Sequence, residues 1–118
     1  MELIERNQEL YELLNTEIYI RDSKITSFHI FLLNDLLTID VDIKLLLGRG
    51  KEIKLRFTAV EEYSFSHTKF YYFYYIEDYK FILQDLYYIS FDPDTGLEDA
   101  SPIDGDMILC GSIEGYYI

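Results

Sequence analysis

The chain has 118 residues, with 22 acids against 10 bases for a formal charge of −12, and is 49% apolar and 17% aromatic. That length suits a single domain spanning residues 1–118, and so much apolar and aromatic content excludes a disordered chain despite the charge. The charge argues against nucleic acid as a partner, because affinity for phosphate comes from Lys and Arg releasing counterions.

The one cysteine, Cys110, excludes an intrachain disulfide and suits a reducing compartment. The first residues carry no basic stretch leading into an apolar core, and no run approaches the roughly 18 apolar residues of a spanning helix. A cytoplasmic protein without membrane contact is the expectation.

In chain order, residues 2–15 predict an amphipathic helix. Leu3, Leu10, Leu13 and Leu14 share a face, Glu2, Glu5, Arg6, Glu9 and Glu12 populate the other, and Glu2 and Arg6 stand at i, i+4 spacing. Asn7 interrupts the apolar stripe, and Asn15 and Thr16 end the helix. From Ser23 the period changes to two. Residues 25–33 form a strand that ends at the turn signal Asn34-Asp35.

Residues 37–45 alternate Leu37, Ile39, Val41, Ile43 and Leu45 with Thr38, Asp40, Asp42 and Lys44, predicting one buried and one wet face. Ile53, Leu55 and Phe57 alternate with Lys54, Arg56 and Thr58 in the next strand, and Gly48-Arg49-Gly50 supplies the hairpin turn. Asp40 and Asp42 then share a face with Lys54 and Arg56, within reach of cross-strand ion pairs.

Residues 63–91 are crowded with Tyr and Phe, which favour strands. Strands are expected at 62–66, at 72–83 with a break at Glu77-Asp78, and at 86–91. Asp92-Pro93-Asp94-Thr95-Gly96 reads as a type I turn closed by a left-handed glycine, followed by a polar loop over 96–106. Residues 107–117 form a last strand, bulged at Gly111 and Gly115. The sum is an α+β fold: an N-terminal helix packed on a curled, mostly antiparallel meander sheet or small sandwich of about seven strands.

The charge is segregated as well as excessive. Residues 81–118 hold eight acids and no Lys or Arg, whereas residues 1–80 hold 14 acids against 10 bases. The cluster Asp92, Asp94, Glu98, Asp99, Asp104 and Asp106 invites a calcium-loop reading, but counting from Asp92 puts Leu97 at the required glycine and Ile103 at the bidentate glutamate. His29 and His67 have no metal-ligand spacing around them, and Cys110 lies in an apolar run where a thiol is buried and inert. No nucleophile, phosphate-loop or dinucleotide motif is present. The expectation is a non-catalytic chain with no cofactor and no bound metal.

The rhythm Ile53-x-Leu55-x-Phe57-x-x-Val60-x-x-Tyr63-x-Phe65, followed by Tyr88-Ile89-Ser90-Phe91-Asp92-Pro93, resembles small uncharacterised bacterial β-rich families that include toxin-immunity proteins. The pattern spans most of residues 24–118. The resemblance implies a protein that neutralises a toxin, often a basic nuclease, by binding it. Composition points the same way, towards an acidic module whose partner is a basic protein. Asp92, Asp94, Glu98, Asp99, Asp104 and Asp106 would form the charged surface, with Tyr71, Tyr75 and Tyr117 as exposed anchors. A scaffold or accessory domain kept soluble by its acidity, or a domain binding a small ligand or divalent metal, are the alternatives. Oligomeric state stays open.

Overall fold

A computed structural model describes residues 1–46, 51–70, 72, 74–96 and 98–118. The expected turn at Gly48-Arg49-Gly50 lies outside them, as does Tyr71. Among the described residues the protein has one helix and eight strands, all paired antiparallel in one open sheet.

The frame of the sheet is a three-stranded meander. β2 (Ser23–Leu33) and β3 (Leu36–Lys44) are joined by Asn34 and Asp35, with φ of 53° and 63°. Those left-handed values make the tight two-residue turn that suits strand twist, and Asn and Asp tolerate them better than most residues. β4 (Glu52–Ser64) returns along β3 in the register Ile39↔Phe57, Val41↔Leu55, Ile43↔Ile53. These six side chains are almost completely buried, as their period of two requires.

The opposite face is drier than its alternation predicts, because Thr38 and Asp40 are buried too. Asp40 accepts two hydrogen bonds of 2.9 Å from the Arg56 guanidinium, which lies between the rings of Phe31 and Tyr116. Lys54 Nζ is 3.0 Å from Asp42 Oδ1. The expected cross-strand pairs therefore form, and they close over this face.

β4 merges the two strands expected at 53–57 and 62–66. An extra residue between Val60 and Glu62 is absorbed as a bulge, next to Ala59 at φ 54°. Residues 72–83 do break at 77–78, but into two short strands on opposite edges of the sheet. β5 (Tyr75–Ile76) pairs with the start of β2, while β6 (Lys80–Leu83) pairs with β7 (Tyr87–Asp92). The strand order is β5-β2-β3-β4-β8-β7-β6.

β8 (Gly105–Tyr117) is central. It lies along β4 on one side; on the other, its first half meets β7 and its last residues meet β1 (Glu2–Arg6). The bulges expected at Gly111 and Gly115 sit instead on the partner strands, between Leu3 and Glu5 of β1 and between Val60 and Glu62 of β4. The glycines serve close approach. A Cβ at Gly111 would lie 3.3 Å from the Ala59 Cβ, and one at Gly115 2.9 Å from Leu10 Cδ1.

The expected helix over residues 2–15 is corrected at its start. Residues 2–6 are strand β1, and the helix α1 runs Asn7–Thr16. Asn7 takes φ 46°, which turns the chain from strand to helix, and its Oδ1 accepts the Ile113 backbone N–H at 2.9 Å. Arg6 pairs with Glu114 at 3.3 Å rather than with Glu2, and Leu3 stays exposed. Leu10 and Leu14 bury the helix against the sheet, Tyr11 meets Phe81 edge-on at 5.1 Å, and the Tyr79 hydroxyl donates to the Leu14 carbonyl. Among the described residues no helix is long and apolar enough to cross a membrane.

Candidate protein-binding groove

A concavity lies where the entry to β2, the segment 70–78 and the end of β7 meet. It encloses about 640 Å³ between Arg21, Phe70, Tyr72, Tyr75, Glu77, Asp78, Phe91, Asp92, Pro93 and Thr95. Local geometry holds its walls. Asp22, at φ 62°, donates its backbone N–H to the Ile76 carbonyl at 2.6 Å, and its carboxylate accepts the Tyr75 hydroxyl at 2.8 Å. That hydrogen bond, with lesser help from burial, raises the Tyr75 pKa and keeps the phenol neutral. Arg21 and Asp78 form a 2.9 Å ion pair across the mouth, and Asp78 also accepts the Tyr79 N–H.

Phe70 and Tyr72 are 85% and 68% exposed, far more than large rings normally are in a folded protein. Tyr72 meets Tyr74 edge-on at 6.2 Å, and Lys24 Nζ lies 5.3 Å from the Tyr74 ring centroid. Arg21 is engaged by Asp78, so Glu77 and Asp92 leave the rim net negative. Aromatic faces beside carboxylates attract cations twice, through the ring quadrupole and through charge.

Of the nine residues expected to bind a partner, Asp92 and Tyr75 line this groove. Glu98 and Asp99 are exposed on the loop that follows, and Asp94 is half-buried. Tyr117 stands apart on β8, between Glu2 of β1 and Ile53 of β4, with Lys51 Nζ 5.8 Å from its ring centroid. Tyr71 lies outside the described residues.

Asp104 and Asp106 do not reach the surface. The Asp104 carboxylate is fully buried and accepts hydrogen bonds from Lys80 Nζ, Tyr88 Oη, Asp94 N and Ser101 N at 2.7–3.2 Å. Burial pushes its pKa up, but these donors more than offset that and lower it to about 2. The same burial and the bond to Asp104 raise the pKa of Tyr88. Asp106 is buried and accepts the Ser66 N–H. Asp104 ties the loop 93–104 to β6 and β7, and Asp106 ties β8 to the chain just past β4, so the solvated acidic loop read from sequence is in part an internal anchor. Gly96 is not left-handed; its N–H is caught by Asp94 Oδ1 at 3.0 Å.

Sequence reasoning missed Arg21, Phe70, Tyr72, Glu77 and Asp78 as groove residues. The available signal was the run Phe70 to Ile76, which is aromatic or apolar on both faces and cannot bury all of them. Cys110 is fully buried, and burial pushes its pKa up to about 12, which leaves the thiol unreactive. Among the described residues no three His, Cys, Asp or Glu side chains converge to hold a metal ion.

Fold and groove together define an α+β protein, an open antiparallel sheet with one covering helix, that carries an aromatic, acid-rimmed groove. No family model, curated protein or solved structure matches the chain.

Proposed function

We propose that this is a non-catalytic protein-binding module whose partner is a basic protein, in the manner of a bacterial immunity protein that neutralises a cationic toxin. The observation that carries the reading is the groove, where exposed rings of Phe70, Tyr72 and Tyr75 stand beside Glu77 and Asp92. Lys or Arg side chains of a partner lie over the rings and meet the rim carboxylates. The net charge of −12 steers such a partner inward, so association slows by about tenfold or more between low and physiological salt.

The test is fluorescence anisotropy with a Lys/Arg-rich peptide, its Glu-substituted counterpart, and the basic product of a neighbouring gene. The cationic probes bind, and Tyr72→Ala or Asp92→Lys weakens them about tenfold. Equal binding of cationic and acidic peptides, or variants indistinguishable from the parent, would sink the reading.

A further inference from the structure

Among the described residues, the far end of β2 carries no strand on its outer edge. β5 pairs only with Ser23 and Lys24, and the Ile25 N–H reaches the Tyr74 carbonyl. Beyond that point, residues 29–33 pair among the described residues with β3 alone. The two-residue turn makes Leu33↔Leu36 a hydrogen-bonded pair, so antiparallel alternation makes Leu32↔Leu37 and Ile30↔Ile39 non-bonded pairs. The backbone N–H and C=O groups of Ile30 and Leu32 therefore point outward, away from β3. Ile30 and Leu32 are 41% and 69% exposed, and Leu36 beside them is exposed as well.

Exposed strand edges are commonly blunted by shortness or charge. The outermost strands β5 and β6 follow that rule, with two and four residues. β2 has 11 residues, no acid and one base, Lys24.

We propose that this edge is a self-association surface on which a second copy of the chain pairs its own β2 antiparallel about a two-fold axis. Charge selects the occupant. Two bodies of −12 repel wherever acids face one another, and β2 is a long strand free of them. A basic partner gains no charge attraction from an edge without acids. Self-pairing of Ile30 and Leu32 sets apolar groups against apolar groups, as an isologous contact requires. The two sheets then run on as one.

Self-association and groove binding respond to salt with opposite sign: self-association strengthens as salt screens the mutual repulsion, whereas binding of a cationic peptide weakens. Sedimentation velocity over a range of protein concentrations, at low salt and at about 0.5 M salt, reads both the dimer and its salt dependence. The dimer fraction should rise with concentration and with salt. Leu32→Lys should lower the association constant about tenfold or more by burying a charge. Ile30→Pro should do the same by removing an outward N–H that β3 does not use. Circular dichroism establishes that both variants keep the sheet, and both should bind the cationic peptide like the parent. A chain that stays monomeric at millimolar protein in high salt overturns the proposal, as does a dimer unchanged in both folded variants. Loss of peptide binding in Leu32→Lys would assign the edge to the basic partner and overturn it too.

Discussion

Lys80 and Asp104 form an ion pair of 3.0 Å whose side chains are 8% and 0% exposed. Lys80 opens β6 and Asp104 closes the acidic loop, so one contact ties the loop 93–104 to the edge of the sheet; Lys80 also donates to the Asp99 carbonyl at 2.8 Å. Breaking a buried pair strands the other charge in a low-dielectric site. Asp104→Ala should therefore cost about 3–5 kcal/mol in urea unfolding, whereas Lys80→Met combined with Asp104→Leu should cost clearly less than the two single changes together. Simple additivity in that cycle would mean that the pair is not coupled.

The same carboxylate makes stability depend on acid. Its folded pKa of about 2 lies below the ordinary 3.8, so its contribution is fully present above about pH 4 and is lost as pH falls towards 2. The size of that contribution is about 2 kcal/mol. Measured from pH 6 down to pH 2, the stability gap between the parent and Asp104→Asn should narrow by about that amount. A gap that stays constant across the range would mean that Asp104 is not the titrating group.

Asn7 combines a left-handed backbone with a side-chain bond to the Ile113 N–H. Ala suffers from both losses and Gly from one. Asn7→Ala should destabilise by about 1–3 kcal/mol and Asn7→Gly by less, because glycine adopts φ 46° without a Cβ clash. The reverse order in thermal unfolding would show that backbone conformation is not what selects asparagine here.

Gly115 lies beneath Leu10, with no room for a methyl group between helix and sheet. Gly115→Ala should cost about 1–3 kcal/mol through overpacking. Leu10→Ala alone should cost about 2–5 kcal/mol through the cavity it leaves. Combined, the two should cost less than their sum, since the new methyl fills part of the cavity; a strictly additive pair in chemical denaturation would rule out direct contact.

Regular local pattern was legible in the sequence wherever one physical cause dominated. The alternation over residues 37–45 and 53–57, with Asn34-Asp35 as a turn, was enough to specify the β2-β3-β4 meander and the charge pairs across it. The N-terminal residues misled because Glu2, Leu3, Glu5 and Arg6 satisfy a helical period equally well. Their pairing with Glu114, Gly115, Tyr116 and Tyr117 spans almost the whole chain, and no local window contains it. The groove was half visible. Asp92 and Tyr75 were named from charge and aromatic content, whereas Arg21 and Asp78 lie 57 positions apart and meet only through the fold.

The sequence by itself determined the α+β class, the central meander, the burial of Cys110 and the net charge that bears on any partner, because each follows from composition or from a period within one strand. Only the tertiary structure decided which acids face water. Asp104 and Asp106 differ from Asp92 and Glu98 in no local respect, and what separates them is whether donors distant in sequence, Lys80, Tyr88 and Ser66, converge on the carboxylate. Burying a charge depends on such partners, and partners far away in sequence are assembled only by folding.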